Sequence, residues 1–539
     1  MFLFTFLKGR QCEAGRYRVT PTGGSRHGLR YGFTGRNVPA ARPECVAPEA
    51  WEAEQLPLHP VQASHGEHSL VGPESVVCGT VQITAFLQPD LLYAQGELRE
   101  GLVLAVDARG LVRDVLPAAQ VPQATRLPGR ALLPGFVNAH SHAFQRLIRG
   151  RTEFVTSGHA ADDFWSWRES MYQAAVSLQP EEVYVASRQA FLEMALAGIT
   201  SVGEFHYLHH AADGTPYADR EELAHQVIRA ARDVGLRICL LRVGYARAGF
   251  QVAANPRQRR FLDAAPEDVL RAVEALGRAW AGDAGVSVGL APHSVRAVPR
   301  PWLEALRAHE GIVHMHVAEQ PAEVKACQAE HGRTPVELLE EVGLLREGFT
   351  AVHAVHVEEV DVKRLARGGA SVCACPSTER NLGDGVVPAD AYVREGVPVC
   401  LGTDSQASVD MVDEARQLEG HLRLVRLRRA VLDPGEGRRE GLARRLLEMA
   451  TVHGARSLGL PVGELRPGAP ADYFTVDLEE PSLAGVSRDA LLAALLVGGA
   501  RASVREVVVG GRTVVSEGRH ALLARSREDF TALSRRLFG

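Results

Sequence analysis

Residues 133–142 read Leu-Pro-Gly-Phe-Val-Asn-Ala-His-Ser-His, an apolar strand pattern that ends in two histidines. Side chains alternate across a strand, so His140 and His142 are predicted to lie on the same face. Two imidazoles on one face of a strand end can share a cation. A His-x-His pair alone is weak evidence, because two surface histidines would explain it as well, so the argument depends on what surrounds the stretch.

Seven more apolar runs follow this first strand, and helix-like stretches such as Glu181–Ala197 and Arg220–Val234 fill most of the gaps between them. The eight predicted strands are Phe136–Ala139, Thr200–Phe205, Arg237–Val243, Val286–Pro292, Ile312–Val317, Thr350–Val355, Ser371–Cys375 and Val397–Thr403. Eight strands that alternate with helices favour a closed parallel barrel over an open sheet. We therefore predict an α/β fold with a TIM-type (β/α)8 barrel over residues 134–455.

The two flanks of the barrel carry short strand patterns separated by turns. They span residues 79–133 and 456–525, and we expect them to pair into one small composite β-sandwich domain. Residues 526–539 are predicted to form a C-terminal helix. Residues 1–78 are rich in Gly, Arg, Pro, Glu and His and show no sustained periodicity, which predicts a disordered leader. A small folded accessory module is the alternative for this segment.

Composition excludes several classes of function. The chain has 539 residues, 46% of them hydrophobic and 23% charged, as is usual for a globular protein. The net charge of −5 gives no bulk attraction to nucleic acid or to a membrane surface. The eight cysteines form no CxxC pair, and several lie in apolar runs, which favours free thiols and a cytoplasmic location.

Polar residues follow the predicted strands at their C-terminal ends, where barrel enzymes place their active sites. The fifth strand offers both His314 and His316, and we choose His316 as the third metal ligand because His314 would lie one layer deeper. Asp404, after the eighth strand, can ligate the metal and accept a proton from its water. Three imidazoles and a carboxylate with one open position fit Zn²⁺, with Fe²⁺ as the alternative. Such an ion lowers the pKa of bound water to about 7.

Two further residues are predicted to act beside this ion. Glu319 lies in the loop three residues after His316 and can reach over the metal. His353, at the end of the sixth strand, can orient or polarise the water. Glu319, His353 and Asp404 are therefore the predicted catalytic residues.

The chain resembles the amidohydrolase superfamily over residues 80 to 520 or so. The resemblance rests on the order and the strand-end positions of His140-Ser141-His142, His316, His353 and Asp404. Some members bind a second metal through a carboxylated lysine on the fourth strand. This chain has His293 at that strand end and no lysine, which implies a single metal. The pairing of His316 with Glu319 is further similar to the aminohydrolase branch, which releases ammonia from C=N carbons and in which the carboxylate shuttles protons.

A narrower resemblance rests on several stretches taken together. They are Phe144-Gln145, Phe164-Trp165-Ser166-Trp167-Arg168-Glu169, Glu204-Phe205-His206-Tyr207-Leu208-His209-His210 and His293-Ser294-Val295-Arg296. These stretches resemble the formimidoylglutamate deiminase family of histidine degradation, which hydrolyses N-formimidoyl-L-glutamate to N-formyl-L-glutamate and ammonia. The resemblance implies a homodimer and a small dicarboxylate substrate.

The same resemblance implies roles for five substrate-binding residues. Arg168 and Arg296 would hold the two carboxylates, because arginine forks bind carboxylates bidentately. Tyr207 would add a hydroxyl donor, while Gln145 and His293 would contact the formimidoyl and amino-acid end. The cluster His206, His209 and His210 is interpreted as a loop of solvated histidines rather than as a second metal site.

Three alternatives remain open from the sequence. A deaminase acting on a nucleobase or an imidazolonepropionase would bind a ring with one negative charge or none, which leaves the two arginines without partners. A non-catalytic barrel used as a scaffold would typically lack metal ligands, whereas all four ligand positions are filled here.

Overall fold

The computed structural model describes residues 77–78, 81–154, 164–499 and 503–539. All of them belong to the compact unit Gly72–Gly539. The predicted leader, residues 1–78, lies outside the described residues except for Val77 and Cys78.

Both flanks of the chain contribute to a nine-stranded sheet. Its strands are β1 (Val77–Cys78), β2 (Val81–Ala94), β3 (Glu97–Arg99), β4 (Leu102–Asp107), β5 (Val112–Pro117), β6 (Thr125–Pro134), β15 (Tyr473–Asp477), β16 (Val504–Val509) and β17 (Arg512–Val515). The main path runs β17-β16-β15-β6-β2-β4-β5, and β1 and β3 also pair with β2. Strand β15 joins the two flanks, because it pairs antiparallel with β6 on one side and with β16 on the other. The prediction of a small β domain built from both ends of the chain is confirmed.

Between the flanks lies the barrel. Its strands are β7 (Phe136–Ser141), β8 (Ile199–His206), β9 (Arg237–Gly244), β10 (Val286–Pro292), β11 (Val313–Val317), β12 (Phe349–His353), β13 (Ser371–Ala374) and β14 (Val399–Leu401). They pair in chain order, each parallel to the next. The predicted TIM-type barrel is confirmed, and all eight predicted strands overlap the observed ones.

Backbone hydrogen bonds close the barrel between its first and last strands. The amides of Thr403 and Asp404 both donate to the carbonyl of His140, each over 3.0 Å, and the amide of His142 donates to the carbonyl of Asp404 over 2.9 Å. The closure therefore places the His-x-His pair directly beside Asp404, although more than 260 residues of chain separate them.

Fifteen α-helices occur among the described residues. They are α1 (Phe164–Val176), α2 (Pro180–Leu196), α3 (Glu222–Val234), α4 (Pro266–Trp280), α5 (Arg300–Leu306), α6 (Pro321–His331), α7 (Pro335–Glu341), α8 (Glu359–Gly368), α9 (Pro376–Leu382), α10 (Ala389–Arg394), α11 (Met411–Arg426), α12 (Gly441–Ala450), α13 (Val452–Ser457), α14 (Arg488–Gly498) and α15 (Leu523–Phe538). Five of them begin at a proline, whose missing N–H costs nothing in the first turn. The predicted C-terminal helix is α15, which begins three residues earlier than expected. None of the described helices combines the length and the apolar character needed to cross a membrane.

Candidate active site

Four buried side chains converge at the C-terminal end of the barrel. His140 is the penultimate residue of β7 and His142 directly follows the strand, His316 lies in β11, and Asp404 follows β14. The Nε2 atoms of His140 and His316 are 3.1 Å apart. Asp404 Oδ1 lies 3.2 Å from His142 Nε2 and 3.5 Å from His140 Nε2. The four ligand atoms lie within 4.8 Å of one another, so the predicted donors meet at a common point.

The chemistry of these donors fits a divalent cation. Nδ1 of His142 donates to the carbonyl of Phe205 over 2.9 Å, because a carbonyl only accepts, and this leaves the Nε2 lone pair facing the other donors. Two such nitrogens repel each other unless something positive lies between them. On a tetrahedral zinc, two nitrogens about 2.05 Å from the ion are about 3.3 Å apart. The separation of the His140 and His316 nitrogens is close to that value.

The protonation states agree with this assignment. Burial lowers the pKa of His140 to about 3 and lowers that of His316 well below its usual value, so both imidazoles are neutral. Burial opposes the ionisation of Asp404, but the adjacent imidazoles of His140 and His142 and the charge of His353 hold its pKa well below the usual range. Neutral imidazoles and an ionised carboxylate are the forms that bind a metal.

His353 lies beside this group with a different set of partners. Its Nε2 is 3.6 Å from Asp404 Oδ2 and 3.7 Å from Glu319 Oε1, while its Nδ1 is 3.2 Å from Glu379 Oε1. Burial lowers the pKa of His353, but the surrounding carboxylates outweigh it and raise the pKa to about 10. The ring is therefore a hydrogen-bond donor on both nitrogens, and Glu379 holds one of them so that the other points into the site.

Glu319 is held by Arg296, a residue that the sequence analysis assigned to substrate binding. Arg296 donates from Nη2 to Glu319 Oε2 over 2.7 Å, and its Nε lies 3.6 Å from Glu323 Oε2. The backbone amide of Glu319 also donates to Glu323, over 3.3 Å. Arg296 thus fixes the orientation of the predicted proton carrier and also lines the same cavity.

The other predicted substrate contacts lie around this cavity. Gln145, Arg168, Tyr207, His293 and Arg296 all line it together with His142, His316, Glu319, His353 and Asp404. Gln145 Nε2 donates to the hydroxyl of Tyr207 over 2.7 Å, and that hydroxyl donates to Met171 Sδ over 3.5 Å. Nδ1 of His293 is 3.0 Å from the hydroxyl of Ser294. The structure therefore brings every predicted site residue to one place.

The three histidines at the end of β8 and just after it are arranged differently from the expectation of a solvated loop. His206 and His209 are buried, at 3% and 2% exposure. His209 bonds to the carbonyl of Val243 over 2.9 Å, and His210 bonds to that of Leu262 over 2.8 Å. The chain folds back over them through residues 256–263, which no local sequence pattern indicates. They do not belong to either group of potential metal ligands among the described residues.

Several residues that hold the site were missed by the sequence analysis. Gln406 is one of them; like the predicted residue Asp404, whose φ angle is 44°, it has a positive φ angle, of 61°, which costs energy unless the surroundings impose it. Gln406 Nε2 donates to Ser141 Oγ and to the carbonyl of Asp404, each over 2.9 Å. Arg146 donates to the carbonyl of Gln406 over 2.5 Å and is paired with Glu193. No motif marks these residues, because their partners are distant in the sequence.

Glu204 supports the His-x-His stretch from the neighbouring strand β8. Its carboxylate accepts from Ser141 Oγ over 2.5 Å and from the amide of Ala143 over 2.7 Å. Burial raises the pKa of Glu204 to about 7. The residue lies in the Glu204–His210 stretch that carries the family resemblance, but its contact with the turn after His140 required the folded structure.

Comparisons with known proteins agree with this geometry. The chain is 42% identical over 429 residues to formimidoylglutamate deiminase of Pseudomonas aeruginosa, an alignment that covers 79% of this chain and 93% of the relative. It is 30% identical over 449 residues to 5-methylthioadenosine/S-adenosylhomocysteine deaminase of Pelotomaculum thermopropionicum, covering 80% and 90% of the two chains. The crystal structure of an amidohydrolase from Brucella melitensis superposes with a TM-score of 0.79 at 35% identity, over 85% of this chain and all of that one.

A family model describes most of the chain as well. The model of the amidohydrolase family matches residues 131–514, from the end of β6 through the barrel to the last strand of the sheet. That span includes all four converging side chains, Glu319 and His353. The chain belongs to the amidohydrolase family.

Proposed function

We propose that this chain hydrolyses N-formimidoyl-L-glutamate to N-formyl-L-glutamate and ammonia, a step of histidine degradation. The observation that carries the proposal is a single cavity in which three of the four converging donors, Glu319 and His353 meet two guanidinium groups, those of Arg168 and Arg296. The substrate has one amidine carbon to be attacked and two carboxylates to be held. The similarity to a formimidoylglutamate deiminase over 93% of that protein supports the same assignment.

One zinc ion is the cation that we assign to His140, His142, His316 and Asp404, with Fe²⁺ as the alternative. A bound divalent ion of this kind acts as a Lewis acid and lowers the pKa of its water to about 7. His293 lies at the end of β10, where a bridging lysine would be needed for a second ion, so the proposal is limited to one.

The side chains around the cation divide the proton transfers between them. Asp404, whose Oδ2 faces His353, takes the proton released as water attacks the amidine carbon. Glu319 delivers protons to the nitrogen that leaves as ammonia. His353, a donor held by Glu379, stabilises the negative charge that develops on the attacking oxygen. The C–N bond then breaks, and the carbon keeps the new C=O bond of the formyl product.

The cavity wall offers a complementary partner for each charged part of the substrate. Burial, and with it the charges of Arg296 and Arg168, lowers the pKa of His293 well below its usual value, and all three side chains line the same cavity. The positive charges of these two arginines match the two carboxylates of the substrate. Gln145 Oε1 is buried and finds no partner among the described residues, which makes it an acceptor for an N–H of the amidine.

A substrate panel tests this proposal with the wild-type protein and Arg168→Met. Ammonia release from N-formimidoyl-L-glutamate, guanine and cytosine is compared, and loss of imidazolonepropionate is followed alongside. We expect N-formimidoyl-L-glutamate to be preferred. We expect Arg168→Met to lower kcat/KM for it by about a hundredfold, chiefly through KM, because truncating one partner of a desolvated charge pair costs about 2–5 kcal/mol.

The matched control is Arg257→Met. Arg257 is an exposed arginine that does not line the cavity. It pairs over 2.8 Å with Glu169, the residue that follows Arg168 in the sequence. Its replacement should leave kcat/KM unchanged. A preference for guanine, cytosine or imidazolonepropionate, or an Arg168→Met variant with wild-type KM, would contradict the proposal.

A further inference from the structure

Three buried side chains from separate segments form a hydrogen-bonded cluster at the cavity, and none of them was predicted as a contact. Tyr172 belongs to α1, Tyr245 follows β9, and Gln258 lies in the short turn of helix at residues 256–261. Their exposures are 2%, 3% and 0%. The two tyrosines line the cavity, and Gln258 lies behind them.

The orientation of the Gln258 amide is fixed from outside the cluster. Its Oε1 accepts the backbone N–H of Asn255 over 3.0 Å, so its NH₂ group faces the tyrosines. Nε2 lies 3.0 Å from the Tyr172 hydroxyl and 2.9 Å from the Tyr245 hydroxyl. Each of the two amide hydrogens therefore has a tyrosine oxygen as its acceptor.

Counting hydrogens shows that the cluster has one donor too many. The two hydroxyl oxygens are 3.3 Å apart, so at most one of the two hydroxyl hydrogens is used between them. The other hydroxyl hydrogen has no acceptor among the residues that the structure describes. An unpaired buried donor is rare and costly, so a group that enters the cavity is expected to accept it.

The surroundings of the spare hydroxyl favour an anion. The guanidinium of Arg168 lies 5.6 Å from the centre of the Tyr172 ring, and the Tyr245 ring lies 4.8 Å from that of His293. Burial raises the pKa of Tyr245 well above its usual value, and Arg168 and Arg296 line the same cavity as its side chain. Tyr245 therefore keeps its proton as a donor, and the pair lies beside two guanidinium groups that favour an anion.

The two arginines differ in their distance from the reaction. Arg296 is bonded to Glu319, the proton carrier, and so lies beside the reacting centre. It is suited to the α-carboxylate, which is attached two bonds from the amidine nitrogen. Arg168 lies on α1 beside Tyr172, four residues along the same helix, and we assign it to the side-chain carboxylate.

We propose that the Tyr172–Tyr245 pair, positioned by Gln258, donates a hydrogen bond to the side-chain carboxylate of the substrate and so helps to select a dicarboxylate. The inference rests on the function proposed above and adds a specificity element to it. Gln258 acts through the tyrosines as a positioning residue, because its two donated hydrogen bonds direct the spare hydroxyl hydrogen away from the cluster.

The test compares the wild-type protein with Tyr172→Phe/Tyr245→Phe on two substrates, N-formimidoyl-L-glutamate and N-formimidoyl-L-norvaline. Norvaline keeps the α-carboxylate and has a methyl group where glutamate has its side-chain carboxylate. For the glutamate substrate we expect the double variant to raise KM about tenfold to a hundredfold with kcat changed by less than about threefold, since one hydrogen bond to a charged group is lost. For the norvaline substrate we expect KM to be unchanged.

Tyr217→Phe is the matched control. Its hydroxyl accepts from Arg260 over 3.4 Å and does not line the cavity, so its loss should leave KM for both substrates at the wild-type value. Retained zinc content and an unchanged kcat on the norvaline substrate report that the double variant is folded. A double variant with wild-type KM for the glutamate substrate, or with an equal rise in KM for both substrates, would overturn the inference. A wild-type protein that releases no ammonia from N-formimidoyl-L-glutamate would instead overturn the proposed function.

Discussion

Replacing His316 with alanine is expected to abolish stoichiometric zinc binding and to lower kcat/KM for N-formimidoyl-L-glutamate by at least about 10³-fold. The imidazole of His316 is one of four donors that lie within 4.8 Å of one another, and its Nε2 is 3.1 Å from that of His140. A catalytic cation supplies several kcal/mol of transition-state stabilisation, and each 1.4 kcal/mol corresponds to about tenfold in rate. Elemental analysis of the purified variant and an ammonia-release assay measure the two effects.

His314→Asn is the matched control for this variant, since it replaces the other histidine of the same strand. His314 is fully buried, bonds to the carbonyl of Ser457 over 2.9 Å and is not among the four donors. The folded His314→Asn protein should keep its zinc. Full zinc occupancy in His316→Ala, or loss of zinc from folded His314→Asn, would show that the wrong histidine of β11 has been assigned.

Glu319→Gln is expected to lower kcat by at least about a hundredfold while the zinc content stays unchanged. A positioned acid or base contributes about 10²–10⁴-fold to a proton-transfer step, and glutamine keeps the size of glutamate but carries no transferable carboxyl proton. Glu319 is not one of the four converging donors, so the cation should remain bound. Steady-state ammonia release and elemental analysis on the same preparation separate the two quantities.

Glu330→Gln provides the comparison for the loss of charge itself. Glu330 pairs with Arg247 over 2.8 Å at the end of α6 and does not line the cavity. The Glu330→Gln protein should have the wild-type kcat. A Glu319→Gln protein that turns over at the wild-type rate would exclude the carboxylate from proton transfer, and one that lost its zinc would place Glu319 among the ligands.

The sequence was sufficient to predict the barrel and the convergence of four candidate ligands. His140, His142, His316 and Asp404 each lie at the end of an apolar strand, and the symmetry of a closed barrel brings such ends together without further information. The choice of His316 over His314 followed from depth along the strand, and the burial of His314 against Ser457 agrees with it.

What the sequence could not supply are contacts between segments that no periodicity links. Arg296 was assigned to the substrate alone, because its bond to Glu319 depends on how two loops after adjacent strands approach each other. Gln258 and Tyr172 are 86 residues apart and meet only through the turn at residues 256–261. The domain boundaries, the homodimer and the cytoplasmic location stay predictions.

Removal and return of the metal tests the central claim most directly. The wild-type protein is stripped with a chelator, and ammonia release from N-formimidoyl-L-glutamate is measured as Zn²⁺ is titrated back. We predict that the stripped protein is inactive and that activity rises to a plateau at one zinc per chain. Full activity in the metal-free protein, or a plateau at two zinc ions per chain, would contradict the account.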